Sequence, residues 1–330
     1  MPLKASIVMP TFNKRRFLEL TLTSFFNQIY PVNKYEVILI DDGSTDDTDD
    51  FLAQLNPPFT LRKITQENKG RSAARNTGIL AAEGEIIIFC DDDMIVEPTF
   101  IEEHLKCHEE PNYAVAGLRR EIVSFIPESF EYETANLELK DIPLLQVISK
   151  EYILNNFEKI RENATELGDI TMAEKTAIEL FGSSLDGLMV PWVFFVAANV
   201  SISKRNLEEV GLFDEEFVGW GVEDWELGYR LHRHGIKYRY NENACNYHQQ
   251  HLKKTSESFK ESAQNYLRFC RKHPYAEIYL LWKFAYQKMD IQEYNSSVAE
   301  FYNLSESRQK DYLLQISQEC KENMQAFLSA

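Results

Sequence analysis

Glu85-Ile86-Ile87-Ile88-Phe89-Cys90-Asp91-Asp92-Asp93-Met94 runs an apolar, strand-forming segment straight into three consecutive carboxylates. A short unbroken apolar run of this kind predicts a strand buried on both faces, as in the middle of a parallel sheet. Open α/β sheets bind their ligands at the carboxyl ends of such strands. Three adjacent acids repel one another and are costly to desolvate unless a cation joins them. Oxygen ligands of this type suit Mg²⁺ or Mn²⁺, ions that commonly bring phosphates with them. Taken alone, the triplet also reads as a solvated acidic turn. The rest of the chain has to decide.

Upstream, Ala5 to Pro10 reads as a first strand. Thr11 or Asn13 is placed to cap a helix whose apolar positions Leu18, Leu22, Phe25 and Ile29 recur at helical spacing. Tyr35 to Ile40 is a second strand, and it too ends in acids, Asp41 and Asp42, before Gly43. Ser44 with Asp47 has the spacing of a capping box for a helix through Leu55, which Pro57-Pro58 breaks. Thr60 to Thr65 reads as a more exposed strand. A helix opens at Gly70-Arg71 and ends near Gly84, the expected C-terminal capping position. Strands alternating with helices predict repeated βαβ units and a parallel sheet. Downstream the pattern changes. Residues 127–190 are acidic and mostly helical in character, Val193 to Ser203 and Ile236 to Tyr240 are strand-like, and residues from about Ser256 onward read as helices.

The chain has 330 residues, a net charge of −17 and 44% hydrophobic residues, enough for a substantial core. That acidity argues against a nucleic-acid binder, whose affinity rests on a basic surface. Five cysteines without a CxxC pair read as reduced thiols. Met1 to Lys4 lead directly into a strand without a signal-peptide pattern, and no apolar run approaches the roughly 20 residues that span a bilayer. The expectation is a cytoplasmic protein, with peripheral attachment to a membrane left open and the oligomeric state unassigned.

Two parallel strands tipped with acids create a cleft of specific capacity. Asp42 can accept a hydrogen bond from an imide N–H of a base, and Phe12 offers a stacking face. Arg71 and Arg75 lie one turn apart at a helix start, where guanidiniums and the helix N-terminus can face an anion. Pro10-Thr11-Phe12-Asn13 stands where a dinucleotide fold would need GxGxxG, which disfavours NAD or FAD. Further on, Gly219-Trp220-Gly221-Val222-Glu223-Asp224-Trp225 lets glycines present an aromatic face, a common way to hold a sugar. Glu223 and Asp224 at a helix start sit where the dipole favours ionised carboxylates, and such a group can act as a general base. His248 can complete a metal site with Asp93, and His251 is its rival.

Ser6 through Asn13, Ile40 through Asp46, Gly70 through Asn76 and Phe89 through Asp93 together resemble family 2 glycosyltransferases. Gly211 through Glu215 with Gly219 through Leu227 resembles the acceptor-side motif of the galactosyltransferase and chondroitin-polymerase type. The resemblance covers roughly residues 3–252. It implies an α/β fold of the GT-A kind: a Rossmann-like, mixed but mostly parallel sheet flanked by helices, with a helical insertion and a helical C-terminal extension. The implied organisation is a GT-A domain over 1–252, with a nucleotide half about 1–118, an insertion about 127–190 and an acceptor half about 191–252, followed by helices over 253–330.

The resemblance also implies roles. Pro10, Thr11, Phe12, Asn13, Asp42, Arg71, Arg75, Asp91 and Asp92 would bind the nucleotide and donor. Asp93 and His248 would hold Mn²⁺ or Mg²⁺. Trp220, Gly221 and Glu223 would orient acceptor or sugar, and Asp224 would be the general base. The implied activity is inverting transfer from a UDP-sugar to a hydroxyl of a carbohydrate, glycoconjugate or small-molecule acceptor, without nucleic acid as partner. The alternative is a nucleotide-sugar or carbohydrate-binding protein that keeps the fold without catalysis. Donor sugar and acceptor stay unassigned.

Overall fold

The computed structural model describes residues 2–109, 112–129, 142–166, 168–251, 255–287 and 289–329. In chain order the elements are β1 (Ala5–Thr11), α1 (Arg15–Ser24), β2 (Tyr35–Asp41), α2 (Thr48–Gln54), β3 (Thr60–Thr65), α3 (Arg71–Ala81), β4 (Ile86–Cys90), β5 (Met94–Val96), α4 (Phe100–Lys106) and β6 (Tyr113–Ile122). There follow β7 (Phe125–Pro127), β8 (Leu144–Gln146), α5 (Lys150–Asn155), α6 (Glu158–Asn163), β9 (Thr165–Glu166) and α7 (Gly168–Phe181). Then come β10 (Asn199–Ser203), α8 (Lys204–Val210), α9 (Glu223–Arg233) and β11 (Lys237–Gln249). Helices α10 (Thr255–Lys272), α11 (Ala276–Tyr286), α12 (Ile291–Asn303) and α13 (Glu306–Ser329) close the described chain.

The main sheet has the order β3-β2-β1-β4-β10-β6-β11-β5, with β9 added beside β6. Strands β1, β2, β3, β4, β6 and β11 run one way, and β5, β9 and β10 run against them. The parallel βαβ reading therefore holds through β4, but β10 enters reversed, and the sheet is mixed. Register aligns the strand tips: Thr11 pairs with Asp41, and Val8 pairs with Phe89.

The apolar run at 86–90 is buried on both faces because the side-chain period of a strand is two. Val8, Ile38, Ile40, Ile87 and Phe89 enter one core; Ile7, Met9, Val37, Leu39 and Ile88 enter the other. The first core is continuous with Tyr266, Phe269, Trp282 and Tyr294 of the C-terminal helices. These helices are thus packed onto the sheet and not suspended from it. Among the described residues of 127–190, α5, α6 and α7 appear as the composition predicts, with β8 ahead of α5 and β9 between α6 and α7. No helix among the described residues is long and apolar enough to cross a membrane.

Several local expectations are corrected. Neither Thr11 nor Asn13 caps α1: Lys14 stands at the N-cap without a side-chain bond, and the Arg15 N–H donates instead to Asp46 Oδ2 at 3.2 Å. Ser44 and Asp47 form no capping box, since Ser44 Oγ accepts from the Asn13 N–H at 3.0 Å. Helix α1 ends at Ser24 in a 3₁₀ turn, which leaves Ile29 exposed. The late strand is longer than its apolar part and runs to Gln249, so His248 lies within it.

Gly84 is not a helix cap; α3 ends at Ala81. Its backbone passes so close to β1 that a Cβ would meet the Ala5 carbonyl carbon at 2.4 Å and the Ser6 nitrogen at 2.5 Å. Both are main-chain atoms of a central strand and cannot step aside. Gly84→Ala should therefore lower unfolding stability by about 2–3 kcal/mol, read as a reduced denaturant midpoint at unchanged slope.

Candidate functional site

The three acids leave β4 at the same end of the sheet as Thr11 and Asp41, yet each meets different partners. Asp91 Oδ1 accepts from Arg75 Nη2 at 2.9 Å. Asp92 is buried and takes the Thr11 hydroxyl on Oδ2 at 2.7 Å, while its carbonyl takes the Thr21 hydroxyl at 2.9 Å. Asp93 Oδ2 lies 2.5 Å from Lys14 Nζ, which also stands 3.4 Å from Asp92 Oδ1. Burial pushes the Asp92 carboxyl above the usual range, with only partial relief from Lys14. Burial acts on Asp93 in the same sense, but Lys14, His248 and His251 together hold it well below that range. One of two adjacent acids is thus strongly biased to the anion.

Strand pairing explains why histidines reach Asp93. Asp93 immediately precedes β5, whose Met94 pairs with His248 of β11, and the Gln249 N–H donates to the Asp93 carbonyl at 2.8 Å. His251 Nε2 then lies 3.1 Å and His248 Nε2 3.7 Å from Asp93 Oδ2. Ligand atoms of all three residues fall within 4.8 Å of one another. His248 Nδ1 is buried without a hydrogen-bond partner and faces Glu121 Oε1 at 4.0 Å. The rivalry between His248 and His251 dissolves: the fold brings both to the same carboxylate.

At the tip of β2, Asp42 is buried and already accepts three hydrogen bonds, from Gln66 Nε2 (2.7 Å), Lys69 N (3.0 Å) and Gly70 N (2.8 Å). It ties down the loop that delivers α3. A carboxylate has about four lone-pair sites, so one remains. Phe12 is 44% exposed just beyond β1. Pro10 lies within β1 opposite Ile40. Asn13 adopts a left-handed φ of 54° and its Oδ1 accepts from the Thr45 N–H at 2.8 Å, stitching two loops together. Arg71 and Arg75 prove unequal. Arg71 is partly exposed, with Nε 4.0 Å from Glu223 Oε1. Arg75 is 3% exposed, bridges Asp91 and Glu223 Oε1 (3.0 Å), and lies over the Phe213 ring.

Glu223 and Asp224 open α9 after a loop with φ of 80° at Gly219, 91° at Gly221 and 78° at Val222. Glu223 is buried against Arg75. Asp224 takes the Trp225 N–H on Oδ1 at 2.9 Å and the Ala197 N–H on Oδ2 at 3.4 Å. The helix dipole does not keep Asp224 a strong acid. Burial and the neighbouring Glu223 push it up to about 7, against the pull of Arg75. Trp220 is 38% exposed, whereas the Trp225 indole donates to the Val193 carbonyl at 2.8 Å and is an anchor.

The pattern of "Glycosyl transferase family 2" matches residues 6–174, and that of the "N-terminal domain of galactosyltransferase" matches 186–254. The chain belongs to glycosyl transferase family 2. Membership bears out the resemblance in both halves of the motif set. This family 2 chain is 33% identical over 261 residues to the uncharacterized glycosyltransferase YfnE of Bacillus subtilis, covering 76% of the chain and 65% of YfnE. It is 30% identical over 268 residues to chondroitin synthase of Escherichia coli, covering 79% of the chain and 37% of that enzyme. The chain thus spans less than two thirds of these relatives. Among solved structures, a mannosyltransferase of Pyrobaculum calidifontis in complex with GDP-Man and Mn²⁺ superposes with a TM-score of 0.58 at 17% identity, over 99% of this chain and 87% of that one. TarS residues 1–349 of S. aureus in complex with UDP-GlcNAc superposes at 0.51 and 15% identity, over 99% and 84%. These likenesses bear out the GT-A architecture.

Sequence reasoning missed Lys14, which reads as a solvated residue between strand and helix, and underweighted His251. It also placed Arg71 and Arg75 together at a helix start, facing an anion. Their environments separate them: Arg75→Met leaves Asp91 and Glu223 facing each other and should lower stability by about 3 kcal/mol. Arg71→Met should change it by no more than about 0.5 kcal/mol. Parallel denaturant melts of the two variants make the comparison.

Proposed function

We propose that this family 2 protein is a metal-dependent inverting glycosyltransferase that moves a hexose or N-acetylhexosamine from a UDP-sugar to a hydroxyl of a carbohydrate or glycoconjugate. The observation that carries the reading is the convergence of Asp93, His248 and His251 beside the Arg75–Asp91 pair. One carboxylate and two imidazoles suit Mn²⁺ better than Mg²⁺, which prefers oxygen ligands. The partnerless His248 Nδ1, turned toward Glu121, fits a ring oriented for ligation by its other nitrogen. When bound, the ion would supply Lewis-acid neutralisation of the leaving diphosphate. The mannosyltransferase neighbour is in complex with Mn²⁺.

The chain's own groups take the remaining work. Phe12 would stack on the base, and Asp42 would spend its last lone pair on a base N–H, with Pro10, Thr11 and Asn13 shaping the loop around it. Arg71 is the guanidinium with capacity left for an anion, while Arg75 is committed to Asp91 and Glu223. Asp91 would face the ribose, and Asp92, held by Thr11, the donor sugar. Trp220 would offer its exposed face to a sugar, with Gly221 and Glu223 beside it. Asp224 would take the acceptor hydroxyl's proton as that oxygen bonds the anomeric carbon and the bond to the diphosphate breaks on the opposite face. Residues 1–252 would constitute this unit, with 253–330 as its helical companion.

Incubation with Mn²⁺ and UDP-glucose, UDP-galactose, UDP-GlcNAc, UDP-GalNAc or GDP-mannose, read as nucleoside diphosphate released, tests the activity; release from GDP-mannose alone would exclude the uridine reading. Calorimetry tests the metal site. His248→Ala and His251→Ala should each weaken Mn²⁺ binding about 10- to 100-fold and Asp93→Ala should abolish it. Undiminished binding in Asp93→Ala would discard the assignment.

A base must be deprotonated to act. With Asp224 pushed up to about 7, kcat should fall about tenfold per pH unit below that value and level off above it. Asp224→Asn should bind UDP as the wild type does while losing at least about 100-fold in kcat. UDP affinity that falls in step with rate would reassign Asp224 to binding.

A further inference from the structure

The loop ahead of α9 is strained. Val222 is β-branched yet sits at φ 78°, in a left-handed region that such residues avoid. A conformation of this kind costs about 1–3 kcal/mol and persists only when its surroundings over-determine it. Those surroundings are on α10. Asn265 Nδ2 donates to two loop carbonyls, Val218 and Gly221, each at 3.0 Å, and so spans the turn with one amide. Glu261 Oε2 accepts from the Trp220 N–H at 2.9 Å. Both glycines have a left-handed φ, which favours glycine there, and both lie against α10 side chains. A Cβ on Gly219 would meet Glu261 Cδ at 2.5 Å, and one on Gly221 would meet Ser262 Oγ at 3.1 Å.

Helix α10 is itself held against both ends of the motif. Lys272 Nζ pairs with Asp214 (2.8 Å) before the loop and with Glu226 (2.7 Å) after it. Tyr266 and Phe269 sit in the main core. Asn265 is 4% exposed, so both its amide protons are spent on the loop where water does not compete. All of this lies beyond residue 254, where the matched galactosyltransferase segment stops.

We infer that Asn265 and Glu261 are positioning residues: α10 clamps Val218 to Val222 in its strained form and thereby sets where Trp220 and Asp224 stand. The inference rests on the reading of Asp224 as the base. A helix serving only as packing would contribute to stability without selecting the conformation of one exposed loop. A clamp affects the rate-determining geometry and leaves nucleotide binding alone.

Asn265→Ala and the isosteric Asn265→Asp, which cannot donate to the two carbonyls, test it. The donor is whichever of the five nucleotide sugars the wild-type protein turns over. In both variants kcat should fall about tenfold or more while the UDP dissociation constant with Mn²⁺ stays within about threefold. Of the four tryptophans, Trp220 is the most exposed, Trp192 and Trp282 being buried and Trp225 anchored. Acrylamide quenching of the fluorescence should therefore rise in both variants. Glu261→Ala should lose kcat in the same way, and Glu261→Gln, which keeps an acceptor oxygen for the Trp220 N–H, should recover most of it. Wild-type kcat and quenching in folded Asn265→Asp would overturn the inference. So would a loss in which kcat, UDP affinity and melting temperature decline together. If Asp224→Asn turns over donor normally, the base reading fails by itself, and the quenching of the Asn265 variants still reports whether the clamp exists.

Discussion

One buried guanidinium joins the two halves of the site. Arg75 leaves the first turns of α3 and places its nitrogens 2.9 Å from Asp91 and 3.0 Å from Glu223, residues separated by more than a third of the chain. Burial alone would disfavour the cation, but Asp91, Glu223 and Asp224 outweigh that and hold the proton on Arg75 more firmly than usual. The Phe213 ring adds a cation–π face beneath it. Glu223 could not be buried there alone, because an unpaired buried charge costs several kcal/mol. The end of β4 and the start of α9 can therefore approach only with Arg75 between them.

Lys14 does for Asp92 and Asp93 what Arg75 does for Asp91. It stands between the two carboxylates, so the three acids are divided between two cations and a pair of histidines. The division gives the acids different chemistry. Asp91 is ion-paired with Arg75, Asp92 has its carboxyl raised by burial beside the Thr11 hydroxyl, and Asp93 is held anionic at the mouth of two imidazoles. A triplet that looks uniform in sequence is three separate devices in space. The acidic balance of the chain, −17 overall, makes each of these few placed cations indispensable to the local charge.

Legibility followed the range of the interactions. The buried strand at 86–90, the acid-tipped strand before Gly43 and the helix at 71–81 were readable because period, apolar run and breaker residues are local signals. Asp93 was readable for the same reason, as the end of a strand. Lys14 was not, since a lysine after a strand looks solvated until Asp93 arrives from 79 residues away. His251 was only a rival to His248 in the sequence because only the pairing of β5 with β11 brings it to Asp93. The capping expectations for Asn13 and Ser44 failed through competition. Those side chains had nearer partners in each other's loops, and Asp46 took the helix N–H instead. Gly84 was misassigned because the close approach of β1, not a helix end, demands it.

The glycines at 219 and 221 carry the same lesson to the loop ahead of α9. Read locally, they let a loop turn tightly around Trp220. In space they are gaps that admit Glu261 and Ser262 of α10, and the turn is held by the Asn265 amide. The motif therefore encodes one side of an interface, and its partner lies outside the segment that the motif defines. A strained loop needs a rigid neighbour, and the C-terminal helices supply one because Tyr266, Phe269, Trp282 and Tyr294 merge with the core of the sheet. Burial thus gives α10 the stiffness that its three polar side chains transmit to the loop. The placement of Asp224 then depends on a helix that the galactosyltransferase-like segment does not include.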